Sequence, residues 1–366
     1  YAGILKGQSG DALKERAIFW HFPGYLGAGK GTWRTTPVSV VRKGDWKLLQ
    51  FLEDGHVELY DLRNDIGEKD NLAEQHPQKT AELLGLLKAW RAAQAKAAAV
   101  PAYVIFHDRT LEALDTYHGQ ASGMFSGDEH YAGLNPSQGT ELCAVVEMMF
   151  SLECLLAILG EPAHADRLER IAYNALPATF TPDMWAHQYD QQVNQVLCSV
   201  ASRDWTNGPD ANTFGIEPNF GCCTANLHQG WPKFAAHLWL RTPDDGLAAV
   251  AYAPCTVATT LRGALVRLTV TTEYPFREVV TLAVEAAAPV RFPLRLRAPA
   301  WCDGATLTVA GETPLPVAAG ATHRLERDWQ GQTTLTLRLP MAPRVERRYH
   351  DSVTIVRGPL LYALRI

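Results

Sequence analysis

At 366 residues the chain is long enough for two or three domains of about 100–200 residues each. Hydrophobic residues make up 47% and charged residues 20%, which excludes wholesale disorder and provides for sizeable cores. The formal net charge of -5 argues against a nucleic-acid binder, which would carry a basic domain.

Taken in order, the first residues, Tyr1 to Lys6, show neither an initiator Met nor a signal-like pattern, so the chain reads as starting inside a longer protein. Ala17 to Pro23 is a short apolar run ended by proline, and it predicts a strand. A glycine-rich loop, Gly24 to Gly31, follows. Ser39 to Arg42, Trp46 to Phe51 and Val57 to Leu62 predict three more strands, with turns at Lys43-Gly44-Asp45 and Glu53-Asp54-Gly55. Pro77 to Ala99 places Leu83, Leu84, Leu87 and Trp90 at helical spacing. Residues 1–100 therefore predict a small antiparallel sheet with a closing helix. Gly24-x4-Gly29-Lys30 imitates a phosphate-binding loop, but Gly31 stands where Ser or Thr is needed and no strand–loop–helix context surrounds it.

The stretches IFWHFPGY and TTPVSVVRKGDWKLLQFLEDGHVELYDLRNDIGEKDNL resemble the C-terminal subdomain of the sulfatase family. The resemblance implies a piece that packs on a larger catalytic domain. That domain's Cys-x-Pro-x-Arg motif is missing here, so a working sulfatase is not expected. His21 is either a pocket residue or an exposed strand-end histidine.

Residues 101 to about 115 read as a junction without a pattern of its own. Beyond it helices dominate. Glu141 to Leu159 is strongly apolar and stops at Gly160, Ala163 to Ala175 is amphipathic, and Thr224 to Leu240 reads as a third helix. The long polar and aromatic stretch Pro182 to Phe220 lies between them, and such loops are more often functional than idle. No apolar run reaches the ~18–20 residues needed to span a bilayer. From about Leu247 the period falls to two, in Ala264 to Val270, Val279 to Val284, Phe292 to Arg297 and Thr334 to Leu339. Short strands at that spacing predict a β-sandwich. The chain stops at Leu361 to Ile366, within or just after a strand.

Seven cysteines at positions 143, 154, 198, 222, 223, 255 and 302 are an odd number at irregular spacings. They argue against a disulfide framework and for metal or catalytic use of a few. Cys222 and Cys223 are adjacent, and adjacent thiols do not readily bridge one another. The pair is buried, metal-bound or reactive, and a helix beginning there favours thiolate over thiol. Upstream, Glu141 and Cys143 stand where the backbone enters a helix after Ser137-Gln138-Gly139-Thr140, the one place where residues two apart reach one ion. With Cys222 and Cys223 they make four donors of the kind zinc accepts. The alternative is that Cys143, Cys154 and Cys198 simply fill core.

GMFSGDEHYAGLNPSQGTELCAVVE, NALPATFTPDMWAHQYDQQVNQV, EPNFGCCTANLHQGWPKF and PLRLRAPAW together resemble glycoside hydrolase family 127 and its sister family 146, from about Phe106 to Ile366. The resemblance implies a β-L-arabinofuranosidase with an (α/α)6 barrel followed by β-sandwiches. It implies Zn2+ bound by Glu141, Cys143, Cys222 and Cys223, with Cys222 also the nucleophile of a retaining mechanism. The acid/base is then Glu129, with Glu147 as its rival on the continuing helix. Tyr189 and Gln192 become sugar contacts, against the alternative of ordinary loop packing; Trp185 and His187 are more distant candidates for the same pocket.

The expected architecture is multidomain α+β: a sulfatase C-terminal-like subdomain (1–100), a partial (α/α)6 barrel (101–245) and a β-sandwich (246–366). A full barrel has about twelve helices by analogy, so part of it is missing. The expected partner is an arabinose-containing oligosaccharide or glycoconjugate, with no nucleic acid and no membrane span. The resemblance points to the periplasm or secretion. The alternative function is an inactive, zinc-stabilised carbohydrate-binding remnant joined to a sulfatase fragment.

Overall fold

The computed structural model describes residues 16–22, 26–29, 32–52, 54–98, 104–203, 205, 207–216 and 221–364. The chain divides into two compact units, residues 1–112 and 113–366. In the first, strands β1 (Ala17–Phe22), β4 (Val38–Lys43), β5 (Trp46–Phe51) and β6 (Val57–Asp61) pair antiparallel in the order β1-β4-β5-β6. Helix α1 (Pro77–Ala98) closes one face. Its Leu83 and Leu87 pack with Val41, Leu48 and Leu59, all fully buried, and Phe19 stacks on Trp90 at 4.7 Å. Each such aliphatic side chain contributes about 1.5–3 kcal/mol relative to exposure. His21 is half-buried in β1, with Nδ1 2.6 Å from Ser39 Oγ. The glycine-rich stretch is not all loop: β2 (Leu26–Gly29) pairs with β3 (Thr32–Thr35). Gly24 and Lys30 of the phosphate-loop-like motif lie outside the described residues.

The expected junction at 101–115 is instead largely helical, α2 (Val104–His118). Beyond it come the short strand β7 (Thr140–Glu141) and helix α3 (Leu142–Leu159), whose C-terminus is closed by Gly160 at φ 69, the left-handed turn that glycine favours. By length and composition α3 would pass for a membrane span, contrary to the reading that no run is long enough, but half of it is buried inside the fold. Next are α4 (Pro162–Arg170), a π-helical turn (Ile171–Ala175) and the single turn α5 (Leu176–Ala178).

After the long loop, β8 (Asp190–Gln191) pairs with β7, and α6 runs over Gly221–Ala236. That helix starts three residues earlier than expected and stops short of Leu240, because Trp239–Arg241 leaves as strand β9. It packs on α3 and α5 at Gly230, where a Cβ would sit 3.1 Å from the Leu176 methyls and 3.5 Å from Val146, so a larger residue there would press on Leu176.

The remaining strands are β10 (Leu247–Ala249), β11 (Cys255–Leu261), β12 (Ala264–Thr272), β13 (Val279–Arg297), β14 (Ala305–Val309), β15 (Leu315–Val317) and β16 (Thr322–Arg338). With β9 they form an eight-stranded sheet in the order β11-β12-β13-β16-β14-β15, in which β10 pairs with β13 and β9 pairs with β10. The two runs expected at 279–284 and 292–297 are one strand of 19 residues, kept continuous by an irregularity between Ala286 and Val290. Alternation places Val266, Leu268, Val280, Leu282, Leu335 and Leu337 in the core. Strands β17 (Pro343–Arg347), β18 (Val353–Arg357) and β19 (Leu360–Tyr362) form a separate three-stranded sheet.

A buried polar cluster ties α4 to β13. Arg297, 1% exposed, pairs with Glu169 at 2.6 Å and with Asp166. Glu169 also accepts from the Tyr274 hydroxyl at 2.8 Å and the Tyr252 N–H at 3.1 Å. Every charge there meets its opposite, the condition under which buried ions are tolerated.

Candidate metal centre

The centre is built where two helices begin. Glu141 is the N-cap residue of α3 in extended conformation, and its own N–H donates to Gly127 O at 2.9 Å. The next N–H, of Leu142, donates to Tyr189 O, also at 2.9 Å. These bonds hold Glu141 at the helix entrance with Cys143 one step inside. Gly139 is obligatory just before them, since a Cβ would lie 2.6 Å from the Asp190 carboxyl carbon. Cys222 and Cys223 lie in the first turn of α6, not in front of it as the sequence suggested. The packing of α6 on α3 brings the two entrances together.

The donor atoms of Glu141, Cys143, Cys222 and Cys223 all lie within 4.8 Å of one another. Cys143 Sγ and Cys223 Sγ are 3.4 Å apart, too far for a disulfide at about 2.05 Å and close to the edge of a tetrahedral thiolate shell with metal–sulfur bonds of about 2.3 Å. Three sulfurs and one carboxylate oxygen therefore fit a single ion such as zinc. Within the pair, Cys223 is buried and Cys222 exposed, so one thiol faces the interior and its neighbour solvent.

Electrostatics point the same way. Burial, with the Cys143 sulfur next, pushes the Cys222 thiol up to about 11. Cys143 is held far above the ordinary thiol range by its hydrogen bond with Cys223 and by burial. Burial also raises Glu141, and the charges of Glu129 and Asp128 add to it. Burial thus disfavours the charged forms of Glu141, Cys143 and Cys222, and a bound cation would reverse that.

Further residues support the donors. Tyr189 lies close enough to Glu141 for each to shift the other's ionisation. The Asn226 side chain lies near the Cys143 sulfur, and its oxygen accepts from Gln229 at 3.0 Å. His187, 4% exposed, places Nε2 3.0 Å from the Thr224 hydroxyl, directly after the paired cysteines. Asn226 sits one helical turn beyond Cys222; that i, i+4 spacing was visible, but nothing in it announced proximity to the upstream cysteine.

The other expected residues fall around this cluster. Glu129 is exposed, with φ 75, beside the fully buried Asp128, and its charge is felt by both Glu141 and Tyr189. Glu147 is exposed further along α3. Tyr189 is 1% exposed, and its hydroxyl accepts from the Asn207 side-chain N–H at 2.7 Å. Gln192 donates to the Ser137 carbonyl and lines a cleft of about 1230 Å³ with Gln191, Tyr173 and Tyr349. Trp185 is 77% exposed.

By fold and site, this is a mixed α/β protein with a thiol–carboxylate centre suited to a metal ion. A sequence profile described as the GH127 β-L-arabinofuranosidase catalytic domain matches residues 50–236, and one for the GH127 middle domain matches residues 246–341. The chain belongs to glycoside hydrolase family 127. The catalytic-domain match reaches N-terminal of Phe106 into the segment that resembles sulfatases.

Two solved structures are similar in fold. One is a GH127 β-L-arabinofuranosidase from Geobacillus stearothermophilus T6, with TM-score 0.59 and 20% identity over 71% of this chain and 45% of that one. The other is the GH127 β-arabinofuranosidase BT3674, with TM-score 0.59 and 17% identity over 73% of this chain and 44% of that one. The chain spans less than half the length of either. A sulfatase from Formosa agariphila is 37% identical over 99 residues, which is 24% of this chain and 17% of that protein.

Proposed function

We propose that the chain is a retaining, zinc-dependent β-L-arabinofuranosidase acting on arabinose-containing oligosaccharides or glycoconjugates. The observation that carries this reading is the convergence of Glu141, Cys143, Cys222 and Cys223 at the entrances of two helices in a chain of family 127. Zinc suits three thiolates and a carboxylate, and when bound it would keep Cys222 ionised.

Cys222, the exposed member of the pair, is the nucleophile. Its sulfur bonds to the anomeric carbon as the carbon–oxygen bond to the leaving group breaks, and Glu129 passes its proton to the departing oxygen. In the second half Glu129 takes a proton from water, the water oxygen bonds to the anomeric carbon, and the carbon–sulfur bond breaks. Two displacements at one carbon retain its configuration. Gln192, on the cleft, and the Tyr189 hydroxyl, beside Glu141, hold the sugar. The same reading takes residues 101–245 as part of an (α/α)6 barrel and 246–366 as a β-sandwich domain, with residues 1–100 as a sulfatase-like subdomain.

The test is zinc per chain by elemental analysis, followed by turnover of a β-L-arabinofuranoside. About one zinc, lost in Cys143→Ser/Cys223→Ser, and turnover lost in Cys222→Ser by about 10⁴-fold or more are expected. A folded chain without zinc overturns the thiolate mechanism. Zinc without turnover would favour the second reading, an inactive carbohydrate-binding remnant.

A further inference from the structure

Asn207 lies in the long loop between β8 and α6, and none of the motifs points to it. Its side-chain N–H donates to two acceptors on different segments, the Asp128 carbonyl at 3.3 Å and the Tyr189 hydroxyl at 2.7 Å. Its backbone N–H reaches Asp128 Oδ2 at 3.4 Å. Asp128 is 1% exposed, and its other carboxylate oxygen lies 2.8 Å from His130 Nδ1. Asn207 thus grips the residue immediately before Glu129 by backbone and side chain at once. It also grips the tyrosine that lies beside the donor Glu141.

The grip has a purpose that packing alone does not supply. Glu129 holds φ 75, a left-handed conformation that a residue with a Cβ adopts at a cost of about 1–3 kcal/mol unless its surroundings enforce it. Its side chain is exposed. The Gly127–Tyr131 bridge closes the turn, and within it Asp128 is clamped by Asn207 while His130 is tied back to Asp128.

We propose that Asn207 is a positioning residue that fixes the Glu129 carboxyl relative to the Glu141–Tyr189 side of the centre. This rests on the reading of Glu129 as the acid/base. Removing the amide frees the Asp128–Glu129 turn, and the carboxyl then no longer meets the leaving oxygen in the displacement. The hydrogen bonds of Asn207 run to Asp128 and Tyr189 and to none of the four donors, so metal content is expected to hold.

The test compares Asn207→Ala and the isosteric Asn207→Asp with Glu129→Gln, using two β-L-arabinofuranosides, one with an alkyl and one with a nitrophenyl leaving group. An alkoxide needs protonation to leave and a nitrophenolate does not. Loss of kcat/KM, which reports the first displacement alone, by about 10–100-fold on the alkyl glycoside is expected in both Asn207 variants, against less than about threefold on the nitrophenyl one. Zinc per chain stays unchanged, kcat falls on both substrates because the second displacement uses Glu129 as base, and Glu129→Gln shows the same pattern more strongly.

Equal losses of kcat/KM on both substrates would reduce Asn207 to a structural part and overturn the proposal. Leaving-group dependence in Glu129→Gln but not in the Asn207 variants overturns the proposal alone. Its absence in Glu129→Gln overturns the acid/base reading and the proposal with it. Binding of a cationic imino-arabinofuranose, read by calorimetry, makes the same comparison without turnover. About tenfold weaker binding in Asn207→Asp and Glu129→Gln is expected, and unchanged affinity in Asn207→Asp overturns the proposal.

Discussion

Two polar clusters in the second unit differ both in burial and in charge balance. The Arg297 cluster sets one guanidinium against Asp166 and Glu169, with tyrosine and backbone donors filling the remaining acceptor sites. The Cys143 cluster sets three thiols and a carboxylate against one another, with no cationic side chain among its four members. The first is complete as it stands and serves to join a helix to a sheet. The second is stable in its ionised form only when something positive joins it, and that difference separates a structural cluster from a functional one.

The sharpest way to break the comparison is to remove the single cation of the first cluster. Arg297→Leu should leave two buried carboxylates unpaired and lower stability by about 3–5 kcal/mol in denaturant unfolding, with zinc affinity of any folded fraction unchanged. If stability is unmoved, the cluster is not the joint it looks like. Removing the cation of the second cluster is the matching experiment. A chelator should lower stability by about 3–4 kcal/mol at metal concentrations 100–1,000 times Kd, seen as a chelator-dependent Tm. An unchanged Tm would make the four donors a metal-free cluster.

A third buried acid tests whether burial is costly when neighbouring basic groups offset it only in part. Glu153 on α3 lies 2.9 Å from His237, and burial raises its carboxyl to about 7 against the opposing charges of His237 and Lys233. Its folded pKa stands above the unfolded value, so the stability it contributes is full below about pH 4.5 and is lost as pH rises to about 7. Glu153→Gln should flatten that decline and gain about 1–3 kcal/mol at pH 8, measured by urea midpoints across pH. A decline of the same steepness in the variant would assign it elsewhere. The smallest effect concerns support of the metal donors. Asn226→Ala removes the amide facing Cys143 and should weaken zinc about tenfold in a chelator competition, with Tm of the metal-free protein unchanged. Equal zinc affinity would show that Cys143 is held by packing alone.

The donors themselves were legible because each is set by short-range signals. The apolar run Leu142 to Leu159 ended at Gly160 announces α3, and placing Glu141 and Cys143 at its entrance follows from that. The adjacency of Cys222 and Cys223 is visible in the sequence, and so is the two-residue alternation of the β region. The start of α6 was misplaced by three residues because Gly221 and two cysteines carry little helical signal of their own; the dense packing against α3 recruits them. The helix at Val104–His118 was missed because its apolar spacing is weak within its own segment.

What this chain's sequence determined by itself was therefore the inventory of donors, the ends of α3 and the two-sided strands, since each depends on neighbours a few residues away. Only the tertiary structure decided that Asn226 faces Cys143, that His187 meets Thr224, that Asn207 grips Asp128, and that Arg297 joins Glu169. Each of those contacts links segments far apart in sequence. Their partners are chosen by how α3, α6, the 182–220 loop and β13 cross, and that crossing is set by apolar packing rather than by the polar residues it happens to bring together.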